Sequence, residues 1–167
     1  MSNGGRKIGF DPVFNAESKV LILGSFPSVK SREVAFYYGH KQNRFWKMLC
    51  GYFHEEIPLS VDEKKDFLLR NKIALWDMAT ACEIKGSSDA SVKNAEIADL
   101  SQILRVANIK KILLNGTLAY DLFMQKYADL EMPYAKMPST SPANPRYSEE
   151  TWRNALNEVF CIVGKIK

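Results

Sequence analysis

Residues 20–46, VLILGSFPSVKSREVAFYYGHKQNRFW, decide the fold. Val20-Leu21-Ile22-Leu23 is a short run of branched apolar residues with no polar alternation, as a strand covered on both faces requires. It breaks at Gly24 into Ser25-Phe26-Pro27-Ser28, a turn of small and φ-restricted residues. Such a turn delivers backbone N–H groups and hydroxyls to the carboxyl end of a parallel sheet, where open α/β sheets bind their ligands. The aromatic loop Phe36-Tyr37-Tyr38 then leads through Gly39-His40-Lys41-Gln42 to Asn43, and Arg44-Phe45-Trp46 opens a helix.

Working outward, the spacing of Phe45, Met48, Leu49, Tyr52 and Phe53 is helical, with Asn43 where an N-cap belongs. Ser60 and Glu63 form a capping box ahead of a second helix carrying Phe67 and Leu68. Ile73–Trp76 reads as a second strand, residues 82–95 as a long polar loop, and Ile97, Leu100, Ile103, Leu104 and Ala107 as a helix. Lys111–Asn115 reads as a third strand, with Thr117 capping the helix that follows, and Tyr134–Met137 as a fourth. Ser148 caps a last helix whose buried stripe is Trp152, Leu156, Val159, Phe160 and Val163. Strands alternating with helices predict an α/β protein: a three-layer α/β/α sandwich around a four-stranded parallel sheet. Residues 1–17 read as a tail whose Phe10 and Phe14 staple onto the body, and residues 18–167 as one domain.

Composition narrows the function. Among 167 residues, 23 Lys and Arg stand against 19 Asp and Glu, a net charge of +4 that permits a polyanionic partner. Three cysteines without a CxxC pair and two histidines supply no metal site, and no apolar run reaches the ~20 residues of a membrane span. The chain is expected to be cytoplasmic, monomeric and free of cofactors. The turn at Gly24 is neither a Walker loop nor a GxGxxG fingerprint nor a nucleophile elbow.

Several side chains carry two readings each. Any one of Phe36, Tyr37 and Tyr38 either plugs the core or stacks on a nucleobase, a contact that holds a base pulled from its duplex. Asn43 either caps its helix or orients a water molecule. Asp77, just past the second strand, is a candidate base or a loop cap. Asn115 offers a donor and an acceptor to a base edge or to its own turn. Ser139, Thr140 and Ser141 lie between stiffening prolines in a loop suited to phosphate oxygens.

GSFPS, FYYGHKQNRFWKML, LLNGTLA and MPSTSPAN together resemble the uracil-DNA glycosylase superfamily over residues 18–163, and YYGH-x-QNRFW with PSTSPAN is most similar to its hypoxanthine-DNA glycosylase branch. The resemblance implies an enzyme that flips a deaminated base out of DNA and hydrolyses its N-glycosidic bond, leaving an abasic site. It places the first motif at residues 24–28 and the second at 137–142. Phe26 stands where mismatch-specific members carry a catalytic Asn, a duty the hypoxanthine branch assigns to the residue matching Asn43. Tyr38 falls at the stacking position, and Met137 replaces the Asn or His of relatives, which together with Phe26 leaves a more apolar pocket that favours a purine such as hypoxanthine, with uracil or xanthine as the other candidate bases. On this reading Asn43 and Asp77 are the catalytic candidates, Ser25, Phe26, Tyr38, Asn115 and Met137 bind the base, and Ser28, Ser139, Thr140 and Ser141 hold DNA. Lys41 keeps a Schiff-base route open beside the monofunctional one. Two other classes remain: a binding module of the same fold that grips DNA without cutting it, and a hydrolase of free nucleosides.

Overall fold

A computed structural model describes residues 6–26, 36–83 and 93–160. In chain order the elements are β1 (Arg6–Ile8), β2 (Val20–Gly24), α1 (Phe45–Tyr52), α2 (Val61–Arg70), β3 (Ile73–Asp77), β4 (Ala79–Glu83), β5 (Lys93–Ile97), α3 (Ser101–Leu104), β6 (Lys111–Asn115), α4 (Thr117–Tyr127), β7 (Tyr134–Met137) and α5 (Glu149–Phe160). Four of the strands form a parallel sheet in the order β3-β2-β6-β7. Helices flank it as a three-layer α/β/α sandwich, with α2 against β3, α4 against β6 and β7, and α1 meeting α5. β2 and β3 are buried along their whole length, which is why both read as unbroken apolar runs.

The predicted parallel strands and the helices flanking them stand within a residue or two. The capping box is present in full: Ser60 Oγ accepts from the Glu63 N–H at 3.1 Å and Glu63 Oε1 from the Ser60 N–H at 3.3 Å. Ser148 accepts from the Thr151 N–H at 3.2 Å and caps α5. Trp152 and Leu156 of that helix are buried, Val159 and Phe160 partly so, and Val163 lies outside the described residues.

Three expectations are corrected. Residues 82–83 and 93–95 are not loop, because β4 and β5 pair antiparallel with each other and β4 with β1, making a second, three-stranded sheet. Polar strands on a small sheet lack the apolar run that marks a central strand, and the register shifts along β4 break what alternation there is. The helix expected from Ile97 to Ala107 shrinks to Ser101–Leu104, since Ile97 closes β5; Leu100, Ile103 and Ala107 face the core from short turns that happen to share helical spacing. Thr117 does not cap α4: Gly116 does, at φ +100, and Thr117 is the first helical residue.

The N-terminal stretch is tied in at two points. β1 pairs with β4, and Val13 bridges Leu75 on the far side of β3. Phe10 and Phe14 pack partly buried against the core.

Replacing Ser60 with Ala removes one half of the capping box and is expected to lower stability by about 1 kcal/mol. Urea unfolding will show a lower midpoint at unchanged slope, and Ser60→Ala/Glu63→Ala will cost less than the sum of the two single changes.

Candidate active site

The registers of the parallel sheet bring four residues level at its carboxyl edge. Gly24 pairs with Asp77, Asn115 pairs with Met137, and Leu23 pairs with Leu114, so the row runs Asp77, Gly24, Asn115, Met137. All four are buried. The turn after β2 is held down on the β3 side, where the Gly24 and Ser25 carbonyls accept from the Met78 and Ala79 N–H groups at 2.7 and 2.9 Å. Ser25 and Phe26 therefore stand at the end of the row, half-buried. Ser28 lies outside the described residues.

Above the row sits Tyr38. Its backbone is left-handed, at φ 55, and its ring stacks on Phe45 with centroids 4.2 Å apart at 23°. The other two aromatics of the trio are core: Phe36 stacks on Trp46, and the Tyr37 hydroxyl donates to the Asp11 carbonyl at 2.8 Å. The Trp46 indole N–H in turn donates to the Tyr37 carbonyl at 3.0 Å and fixes the loop's path. A Cβ at position 24 would lie 2.5 Å from Asp77 Oδ1 and 2.7 Å from the Tyr38 hydroxyl, so both polar groups close over a bare glycine.

Two buried side-chain atoms among the described residues have no hydrogen-bond partner, and they are the Tyr38 hydroxyl and Asp77 Oδ2. Burial pushes the Asp77 carboxyl up to about 7. Burial also raises the Tyr38 phenol, and the neighbouring Asp77 adds to that, while the Asn115 amide acts the other way. Asn115 is itself engaged: its Oδ1 accepts from the Thr140 N–H at 3.0 Å and its Nδ2 donates to Thr140 Oγ1 at 3.1 Å. That pair of bonds fastens the second proline loop onto the end of β6.

The same loop is gripped from the other side by Arg44, a residue that sequence reasoning took only as a helix start. Its backbone N–H donates to the Thr140 carbonyl at 3.0 Å, its guanidinium donates to the Ser141 carbonyl and, at 2.9 Å, to the Asn144 carbonyl, and it lies over the Tyr147 ring at 4.3 Å. A cation at a helix N-terminus opposes the helix dipole, and that mismatch was the available signal that Arg44 answers to something outside its own helix. Ser139 packs against Gly116, where a Cβ would meet its own at 3.2 Å, and its Oγ accepts from the Ser141 N–H at 3.1 Å; Ser141 Oγ accepts from the Ala143 N–H at 3.2 Å. These hydroxyls shape the loop that presents them.

Asn43 does cap-like work one residue early: its Oδ1 accepts from the Phe45 N–H at 2.9 Å, while the backbone N-cap is Arg44. It lines a cavity of about 690 Å³ together with Tyr38, His40, Trp46, Lys64 and Pro142. The structure thus groups the expected residues in two places. Asp77, Asn115 and Met137 share the strand-end row with Ser25 and Phe26 beside it, Asn43 opens on the cavity, and Tyr38 belongs to both. β6 lies between β2 and β7, so the ends of those two strands stand two strand spacings apart, roughly 10 Å. Among the described residues no group of three or more His, Cys, Asp and Glu could hold a metal ion, and no helix is long and apolar enough to cross a membrane.

The site combines a glycine-floored strand end, an aromatic loop above it and a proline loop latched beside it. The model of the uracil DNA glycosylase superfamily matches residues 12–160, and the chain belongs to that superfamily. Among curated relatives, a hypoxanthine DNA glycosylase of Methanosarcina acetivorans is 32% identical over 145 residues, 86% of this chain and 91% of that protein. Another, a hypoxanthine DNA glycosylase of Methanosarcina barkeri, is 37% identical over 113 residues, 66% of this chain and 72% of that one. The solution NMR structure of a Methanosarcina acetivorans protein, provisionally described as a uracil DNA glycosylase, superposes with a TM-score of 0.79 at 30% identity, covering 92% of this chain and 98% of that one.

Two outcomes follow from the site's construction. Arg44→Lys keeps the charge but loses the fork that reaches two carbonyls, and is expected to cost on the order of 2 kcal/mol and to speed amide exchange selectively at residues 139–144. Asp77 holds its proton longer folded than unfolded, so stability is greatest below pH 4 with respect to this group and falls as pH rises toward 7. Asp77→Asn removes that loss, and at pH 8 its melting temperature is expected to exceed the wild type's by several degrees, a gap that narrows toward pH 5.

Proposed function

We propose that this DNA glycosylase flips hypoxanthine, in deoxyinosine, out of DNA and hydrolyses its N-glycosidic bond without a metal, leaving an abasic site. The observation that carries the reading is the row of strand ends with an unpartnered, buried carboxylate oxygen on Asp77 facing the stacked Tyr38. A deep carboxyl left without a partner costs stability and suits a reaction more than a framework. The name of the curated relatives supports hypoxanthine as the base. So does Met137, which closes the row with an apolar thioether where an amide would read a pyrimidine carbonyl.

Tyr38, backed by Phe45 and fixed by its loop, is a rigid wall for the base. Stacking on an aromatic supplies about 1–3 kcal/mol per base, comparable to the few kcal/mol of unstacking the lesion. Ser25 and Phe26 meet the base edge and Ser139 and Ser141 the flanking phosphates, while Asn115 and the buried Thr140 are bonded to each other and hold the loop that presents those hydroxyls. The sugar–base bond breaks with its electron pair leaving on the base, the sugar passes through an oxocarbenium-like state, and a water oxygen bonds to C1′. Asn43 Oδ1 is committed to its helix, so its Nδ2 is what remains to hold that water in line. An amide cannot take the proton. Asp77 in its ionised form takes it from the water and passes it to the departing base, which leaves neutral and returns the carboxylate to its starting state.

The test uses duplexes carrying one deoxyinosine, uracil or xanthine, incubated in EDTA and cleaved with alkali. Cleavage is expected at inosine, with Asn43→Ala and Asp77→Asn each slowing single-turnover excision by roughly a hundredfold while DNA binding persists. Because Asp77 must be ionised to act as base, the wild-type rate is expected to rise with pH through about 7 and then level off. A band shift with no abasic product would instead make the protein a binding module of this fold, and turnover of free inosine a nucleoside hydrolase. An Asn43→Ala protein that keeps its full rate removes the water-holding role.

A further inference from the structure

The cavity of about 690 Å³ beside Asn43 has walls that the excision chemistry does not use. They come from α1 and α2 and carry Lys47 and Lys64, joined by Lys41 and Arg44 from the loop, and no Asp or Glu lines the cavity. Four cations and no acid make the lining of this cavity positive. The acids nearest in the fold are turned to other work. Glu63 closes the capping box, and Glu55 and Asp66 bind Arg70.

Lys64 makes the strongest case. It is half-buried, its ammonium lies 5.2 Å above the Trp46 ring, and no carboxylate pairs with it among the described residues. The titratable group beside it is the Cys50 thiol, which burial pushes up to about 11, so it is neutral at pH 7 and supplies no counter-charge. Burial accordingly drives the Lys64 amine down. An ammonium held in that position gains from an anion arriving in the cavity. Arg44 cannot serve, because its guanidinium is bound to the carbonyls of Ser141 and Asn144.

We propose that this cavity is a phosphate cradle for the DNA backbone, in which Lys47 and Lys64, with Lys41 at the rim, grip the strand beside Tyr38. The inference rests on the glycosylase reading for its choice of polyanion. Its volume is that of a pocket for a drug-sized ligand, well beyond one inorganic phosphate, and aromatic side chains interleave with the cations as in sites that track a nucleic-acid strand. It opens on Asn43 and Tyr38, so a strand seated in it enters the site from the α1–α2 flank. The proline loop supplies only Pro142 to this wall, which makes the cradle separate from the hydroxyls at residues 139–141.

The experiment measures binding of an undamaged fluorescent duplex by anisotropy across a salt series, for the wild type, Lys47→Gln/Lys64→Gln, and Lys110→Gln/Lys126→Gln, which removes the same charge outside the cavity. The cavity pair is expected to bind about tenfold more weakly and to lower the slope of log K against log salt by about 2, with its melting temperature within a few degrees of the wild type. The control pair is expected to change neither by more than a fraction of that. Equal losses for both pairs, or an unchanged slope in the cavity pair, overturn the cradle. Lys64→Arg, which keeps the cation, is expected to hold the wild-type slope, and loss in that variant likewise counts against it. Undamaged DNA is not a substrate, so failure to excise inosine would end the proposed function and leave this measurement intact.

Discussion

The site depends on the missing side chain at residue 24. Asp77 and Tyr38 approach its Cα so closely that a single methyl group would collide with both, at 2.5 and 2.7 Å. A parallel sheet normally ends in loops that diverge; here the central strand ends in a bare position, and the neighbours lean over it. That closure removes water from the Asp77 carboxyl, and the loss of water is what moves its protonation into the neutral range. One absent Cβ thus links backbone packing to proton chemistry. The same closure leaves two polar atoms unpaired in the interior, an arrangement that persists only because the surrounding structure holds it in place.

What holds it is a set of hydrogen bonds from interior side chains to loop backbone. All three indoles donate to carbonyls: Trp46 to Tyr37, Trp76 to Phe10 and Trp152 to Pro138, at 2.9–3.1 Å. Each ring is rooted in a helix or strand and reaches a segment with no regular structure of its own. Tyr37 to Asp11, Asn115 to Thr140 and Arg44 to Ser141 repeat the pattern. Loops would otherwise carry unsatisfied carbonyls and wander; tied this way they present Tyr38 and residues 139–141 from nearly rigid positions. Fixed placement of the catalytic groups, not their number, is what a bond-breaking site of this kind requires.

The central sheet was legible because strands buried on both faces have only one way to read, and Val20–Leu23, Ile73–Trp76 and Lys111–Asn115 read that way. The small sheet was not, because Ala79–Glu83 and Lys93–Ile97 owe their pairing to each other and to β1 rather than to any local apolar pattern. At the site, the sequence could mark Asp77, Asn115 and Met137 as strand ends but not level them into one row, since that takes registers between strands far apart in the chain. It named Tyr38 as a ring on a loop and could not show that Phe36 and Tyr37 are core while Tyr38 alone tips over the glycine. Asn115 illustrates the limit most clearly. Its amide could be read as serving a base edge or its own turn, and the structure gives both atoms to Thr140, 25 residues away.

The distribution of charge around Tyr38 follows from the same geometry. Asp77 is a single buried acid that Tyr38 helps to close over, and Tyr38 also lines a cavity with cations and no acid. A polyanion attracted by the cavity is not drawn to Asp77, because burial there admits no further charge without cost and a carboxylate repels phosphate. The ring of Tyr38 thus touches both a buried acid and a cation-lined cavity. Its strained backbone and the Phe45 ring stacked against it keep that contact between acid and cations in one place.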